Sequence, residues 1–350
     1  MRSGNAGPVI TSVVVAYALG TSLVAAAVLL VGDSTALGTI LLFGPRWMLV
    51  YPWLLLVPLA LVVSRQTVMV ALFGTGVALF FAGGFEMPFR MPFRTPSRMS
   101  NAAIGGAEGA QPLRVVTYNT DGSRVLASRI ASDVRAWNAE IILLQDCAQE
   151  SADALLRTIV SRGGPAPYEM HRDVEFCLLS RIPLRGVVSK ARLRGSRADG
   201  RAVRFAFDWN GTPVSMATVH LPSPRDALGA ARHGDLSLLE ESIATRYAAS
   251  RATADWVREG AAGTALVVAG DFNLPAESPA LRDHWGPLRN AFSEAAWGFG
   301  HTMFAGPHRA RIDHVLVSDD VLVRKIEVLS GYPTEHQPVV ANLGIVPVEK

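Results

Sequence analysis

The sequence predicts a chain in two parts, an apolar helical region at the amino terminus followed by a layered α/β domain of about 250 residues. Three observations carry this. Residues 1–100 hold only two acidic residues, Asp33 and Glu86, beside six arginines. A small, polar, Gly-rich stretch, MSNAAIGGAEGAQP (99–112), then marks an abrupt change of character. Beyond it, short β-rich runs alternate with polar stretches of helical spacing.

In the first part, residues 9–31 form an uncharged run, long enough at about 1.5 Å per residue to cross a hydrocarbon core of roughly 30 Å. A second run covers 36–63 and is interrupted by GPRW at 44–47, where Arg46 is expected at an interface beside Trp47, Tyr51 and Trp53. A third covers 67–85. The first run lacks a small-residue cleavage site followed by polar chain, so it reads as a span and not as a signal peptide. The expected organisation is a three-helix transmembrane region (1–88), a juxtamembrane segment and flexible linker (89–112), and a layered α/β domain (113–346). Three helices place the amino terminus and the domain on opposite faces. Arg2 and Arg65 mark one side, and Arg90, Arg94 and Arg98 of MPFRMPFRTPSR mark the other. Counting positive charges alone puts the domain in the cytoplasm, by a small margin.

In the second part the β-rich runs are LRVVTYNT (113–120), AEIILLQDC (139–147), FCLLSRIPL, AVRFAFDW, TPVSMATVHL, ALVVAGDFN, IDHVLVSD and QPVVANLGI, with helical spacing near 124–137 and 231–258. This part carries 27 basic residues against 28 acidic ones, so the pI of 9.1 is set by the front of the chain. Near neutrality, the domain lacks the cationic field of a duplex-binding protein. The stretch KARLRGSRADGR (190–201) reads as a solvated loop. The two cysteines, Cys147 and Cys177, form no Cys-x-x-Cys motif and read as two buried apolar thiols.

The informative pattern is positional. Apolar runs end in residues suited to metal or phosphate chemistry: Asn119, Asp146, His220, and Asp271 with Asn273; Asp313 opens another run, and His336 lies in the tail loop beside Glu335. Strand ends on a rigid scaffold are where layered α/β proteins build sites. Gly270 is expected to allow a tight turn that presents Asp271 and Asn273 on one side. Singly, each residue fits an ordinary turn, cap or core polar group.

Taken in order, the motifs TYNTDG, ILLQD, LLSRIPL, TVHLPS, GDFNLP, RIDHVLVS and EHQPVV resemble the endonuclease/exonuclease/phosphatase superfamily over about residues 113–345. The resemblance implies a DNase I-like four-layer α/β sandwich, with two packed β-sheets flanked by helices. It implies that Asn119 and Asp146 hold a divalent cation, Mg²⁺ or Mn²⁺, and that Asp271 and Asn273 position the attacking water. By the same resemblance His220 contacts the phosphate, while Asp313 orients His336 as general base or electrostatic partner. Two positions depart from the family pattern: Asp146 stands where glutamate is usual, and Glu335 where aspartate is usual. Both keep a carboxylate, and they are expected to face the same metal and compensate. His301 and Arg311 are expected substrate contacts.

Within the superfamily the chain looks most like membrane-bound bacterial phosphatases of the teicoplanin-resistance type, which act outside the cytoplasm on undecaprenyl pyrophosphate. That implies a multi-pass cell-membrane protein with an extracytoplasmic domain, against the arginine count. The implied partners are the bilayer and a phosphorylated lipid or small phosphoester, with nucleic acid less favoured and no protein partner inferable. A membrane-anchored nuclease and a non-catalytic binding module that keeps the fold remain open alternatives.

Overall fold

The structure, a computed structural model, describes residues 6–88, 109–122, 127–148, 152, 153, 155, 157, 168–190 and 201–347. Arg90, Arg94, Arg98, most of the linker, and Arg192, Arg194 and Arg197 lie outside the described residues.

Helix α1 (Ala6–Val31) continues through a 3₁₀ turn at Gly32–Ser34. Thr35 accepts a hydrogen bond from the Gly38 amide and so caps α2 (Ala36–Phe43). A 3₁₀ stretch, Arg46–Val50, leads into α3 (Tyr51–Leu61), and α4 (Arg65–Gly76) runs on into a π-helical turn, Val77–Ala82. Among the described residues two helices, Ala6–Ser34 and Arg65–Ala82, are long and apolar enough to cross a membrane. A third span exists if the pair 36–43 and 46–61, bent by 75°, counts as one. The bend falls at Gly44-Pro45, where proline removes a backbone donor. The bundle packs on small residues: a Cβ on Gly74 would lie 2.3 Å from the Trp53 ring, so only glycine admits that indole.

The remainder forms two six-stranded mixed sheets. One orders β13 (Val321–Val328), β14 (Val339–Ile345), β1 (Gln111–Asn119), β2 (Ile141–Gln145), β4 (Phe176–Ser180) and β3 (Glu169–Asp173). The other orders β5 (Arg185–Ser189), β6 (Arg201–Trp209), β7 (Thr212–His220), β8 (Ala265–Asp271), β12 (Asp313–Val317) and β9 (Arg289–Asn290). A hairpin, β10 (Met303–Ala305) with β11 (His308–Ala310), stands apart.

The period-two alternation of each strand sorts its side chains between layers. Leu113, Val115, Ile141 and Leu143 of the first sheet meet Phe205, Val214, Met216 and Val267 of the second in a shared core. Their neighbours Val116, Tyr118, Ile142 and Leu144 point outward under Ile130, Val134 and Trp137 of α5 (Ala127–Trp137). On the other side, Ala217, Val219 and Val268 are covered by α7 (Ser237–Glu259) and α8 (Pro279–Trp285) through Ala254, Val257, Leu281 and Trp285. This is a four-layer sandwich of helix, sheet, sheet and helix.

The expectation of two free thiols is corrected. Cys147 and Cys177 are joined in a disulfide with their Cα atoms 5.8 Å apart. Both are buried in the apolar outer layer. The bond pins the chain leaving β2 to the start of β4, reinforced by the Cys147 amide donating to Glu175 O at 2.8 Å.

Candidate active site

Two parallel strand pairs, β1 with β2 and β7 with β8, bring four carboxyl ends to one rim. Asn119 and Asp146 arrive from the first sheet, His220 and Asp271 from the second. Strand β12 runs antiparallel to β8, so its first residue, Asp313, lies directly opposite Asp271. Beneath them Gln145 joins the sheets, its Nε2 donating to Thr117 Oγ1 at 3.0 Å and Thr218 Oγ1 at 2.9 Å.

Gly270 has a different purpose from the turn expected of it. It lies inside β8, where a Cβ would sit 2.1 Å from the Val219 carbonyl oxygen. Glycine is needed there for close strand approach. The chain turns three residues later, at Asn273, with φ of 49°.

Asp271 is buried and surrounded by donors. Its Oδ2 accepts from Asn119 Nδ2 at 2.9 Å and Asn273 Nδ2 at 3.2 Å, and its Oδ1 from the Asn273 amide at 2.8 Å. Asn273 Nδ2 also donates to Leu221 O at 2.8 Å, tying the loop after β8 to the loop after β7. Asp313 holds His336 through Nδ1, 3.0 Å from Oδ2. Burial pushes on the His336 imidazole toward the neutral form, but the Asp313 and Asp271 carboxylates outweigh it and hold the pKa at about 10. His336 is therefore an imidazolium at neutral pH, with its Nε2 3.8 Å from Asp271 Oδ2.

A second cluster lies beside the first. His220 Nδ1 is 2.8 Å from Glu175 Oε1 and 3.8 Å from Asp146 Oδ1, while its Nε2 is 3.6 Å from Asp271 Oδ2. Glu175, absent from the sequence reading, is also ion-paired with Arg201. It is presented by the two-residue turn between β3 and β4, where Val174 has φ of 51°, a costly conformation for a β-branched side chain. The sequence signal was faint, a lone glutamate just before FCLLS. Asp271, Asp313 and His336, and separately Asp146, Glu175 and His220, each gather ligand atoms within 4.8 Å of one another. The first group is fully buried and bonded within itself; the second opens to solvent through Asp146.

Three expected residues have other partners. Glu335, expected at the metal with Asp146, lines the same cavity but is ion-paired with Arg225 of α6 (Arg225–Arg232). Arg311, expected at the substrate, is 5% exposed, bonded to Glu86 Oε1 at 2.9 Å and stacked over Phe292. His301 stacks on Phe299 and lines a separate cavity of 430 Å³ with Phe304 and Gln337. Burial drives its pKa down to about 4, so it is neutral at physiological pH. His314, next to Asp313, is likewise driven to about 4 by burial and bonds the Leu274 carbonyl at 2.8 Å as a structural group.

The main cavity, 1120 Å³, has two kinds of wall. Its polar floor holds Asn119, Asp146, His220, Asp271, Asn273 and His336; Val24, Ile40, Leu41, Phe43 and Leu49 of the apolar helical region form an apolar wall; Arg225, Arg232, His308 and Glu335 add charged and polar groups to the lining.

The Endonuclease/Exonuclease/phosphatase family model matches residues 116–336, more than half the chain and every strand end described above. The chain belongs to this family. Among solved structures, an endonuclease/exonuclease/phosphatase family protein from Bacteroides thetaiotaomicron aligns with a TM-score of 0.52 at 15% identity, covering 67% of this chain and 98% of that one. The mannosyl-6-phosphatase of the same organism gives 0.50 at 15% identity, over 66% and 99%. TDP2 from D. rerio, solved with a single-strand DNA product, gives 0.50 at 12% identity, over 67% and 99%. At these identities the likeness is one of fold. No curated protein matches the chain significantly. Family enzymes typically use divalent metals, and the clustered carboxylates and histidines are suited to holding one.

Proposed function

We propose that this family member is a membrane-anchored, divalent-metal-dependent phosphoesterase acting on a phosphate ester or pyrophosphate carried by a lipid. The observation that carries this reading is the cavity, whose polar floor and apolar helical wall line one space. A phosphorylated headgroup suits the floor and an acyl or prenyl chain suits the wall, with both held at one surface.

The donor set fits a hard divalent cation. Asp146 presents its carboxylate beside Glu175 and next to the Asn119 loop, and oxygen ligands with an open side are what Mg²⁺ or Mn²⁺ requires. Asp146, with Asn119 and Glu175, would hold it, and Glu335 would remain with Arg225. Such an ion supplies charge neutralisation of the phosphoryl oxygens. The protein's own groups do the rest. Asp271, fixed by Asn119 and Asn273, accepts a hydrogen bond from the attacking water and sets its line of approach. The His336 imidazolium, held by Asp313, stabilises negative charge growing on the phosphoryl group. Glu175 fixes the His220 ring so that Nε2 faces the same space as Asp271.

The disulfide supports an extracytoplasmic catalytic domain, since such bonds persist in oxidising compartments. The wall offers a direct test. Leu41→Asn should raise KM for a lipid diphosphate about tenfold, the scale of one lost apolar contact, and leave turnover of p-nitrophenyl phosphate unchanged. Equal effects on both substrates would remove the lipid from the reading.

A further inference from the structure

Arg246, on α7, is only 4% exposed, a burial rare for arginine. Its Nε donates to Pro222 O at 3.1 Å and its Nη2 to Asn273 O at 2.7 Å. Those carbonyls belong to the two loops that follow His220 and Asp271. Its guanidinium lies 5.2 Å from the ring of Phe43, at the end of α2. Burial lowers its pKa to about 10, with the Asp33 carboxylate opposing.

Asp33 is the second half of this arrangement. It ends an otherwise uncharged helix, is 3% exposed, and finds its hydrogen-bond partners on the other part of the molecule. Ser278 Oγ donates to it, and so does the Ala280 amide at 3.3 Å, so Asp33 caps the start of α8 together with Ser278. The turn comes so close that a Cβ on Gly32 would sit 2.8 Å from the Pro279 ring. A buried carboxylate without partners is strongly unfavourable, so this turn has its low-energy state only when docked on the catalytic domain.

We propose that Asp33 and Phe43, in the apolar helical region, are positioning residues of the catalytic centre: Phe43 acts through Arg246 on the loops after His220 and Asp271, and Asp33 acts through Ser278 at the far end of the loop after Asp271, which the Asn273 side chain ties to the loop after His220. The helical region then serves as a support of the site as well as an anchor. The inference is independent of the substrate reading, because it concerns loop order and not turnover.

Hydrogen–deuterium exchange on the full chain in detergent micelles tests it. Protected amides report each loop: Leu221 donates to Asp271 O, and Phe272 to Ile312 O. In Asp33→Ala and Phe43→Ala, exchange over 221–224 and 272–275 should rise about tenfold while β14 stays protected, as expected of a local opening. Asp33→Asn keeps an acceptor for Ser278 but removes the charge, and should give the same pattern at smaller amplitude; it decides the matter if Asp33→Ala does not fold. Arg246→Lys keeps the charge without the planar fork and should loosen both loops together. Where p-nitrophenyl phosphate is turned over, kcat should fall with KM unchanged. Loops that stay protected in both Asp33 variants, or exchange that rises equally in β14, would overturn the proposal.

Discussion

The site contains two carboxylate–histidine pairs that look alike on paper and differ in setting. Asp313 with His336 is buried, bonded within itself, and set against the donor-rich Asp271. Glu175 with His220 is partly open, shares its carboxylate with Arg201, and borders the cavity-facing Asp146. The lesson is that burial assigns the roles. A closed pair fixes one charge state and suits stabilising a developing charge, whereas an open pair can exchange ligands and suits holding a cation.

The sharpest way to break this comparison is to remove the closed pair. His336→Ala and Asp271→Ala should each lower kcat about 10³-fold, the scale of a lost acid–base or electrostatic group, read by phosphate release under saturating substrate. The open cluster should respond first through stability. Reducing the disulfide, or Cys147→Ala with Cys177→Ala, frees a separation of 30 residues, worth about 3.5 kcal/mol on loop entropy. A urea titration reads that loss, and cation affinity should weaken with it. Next, Glu175→Gln should cost about tenfold in cation affinity or activity by releasing the His220 ring; an effect as large as that of His336→Ala would erase the distinction between the pairs.

Titration sharpens the same contrast. His336 is held at about 10, above its ordinary 6.5, so the folded state binds its proton more tightly than the unfolded chain does. That stabilisation is complete below about pH 6.5 and is lost as pH rises toward 10. His301 and His314, both driven to about 4, act with the opposite sign, and stability falls as pH drops from 6.5 toward 4. In metal-free protein, denaturation across pH 4–10 should show both flanks, and His336→Asn should flatten only the alkaline one. The smallest effect belongs to the turn that presents Glu175. Val174→Gly relieves a left-handed backbone and should stabilise the fold by about 1 kcal/mol.

Much of this architecture was legible in the sequence where a chemical residue ends a buried strand. Asn119, Asp146, His220 and Asp271 each close a buried, mostly apolar run, and Asp313 opens one, so each is a strand-end residue and the strand order gathers them on one rim. Edges were harder. β3, with the sequence EMHRD, and β13, VLVRKIEV, expose part of their length and lack the apolar continuity of a central strand. Glu175 was missed with β3 and the turn that joins it to β4, although β4 itself was legible as FCLLS. The disulfide was missed because its partners lie 30 residues apart in two apolar stretches that read as ordinary core. Arg246, Arg311 and Glu335 depend on which element packs over them, and the Arg311 partner Glu86 lies 225 positions away. No local pattern encodes such a pairing. The middle apolar run, by contrast, announced its break through GPRW, and the chain bends there.

The carboxylate–histidine floor and the apolar helical wall are proposed to form one site for a lipid-borne phosphate. The most direct test measures phosphate release by the full chain in mixed micelles, with and without Mg²⁺, from a long-chain polyprenyl diphosphate, p-nitrophenyl phosphate and single-stranded DNA. The expected result is Mg²⁺-dependent release from the lipid with kcat/KM at least about tenfold above either soluble substrate, abolished in Asp271→Ala. Cleavage of DNA without lipid turnover, or lipid turnover that survives Asp271→Ala, would contradict it.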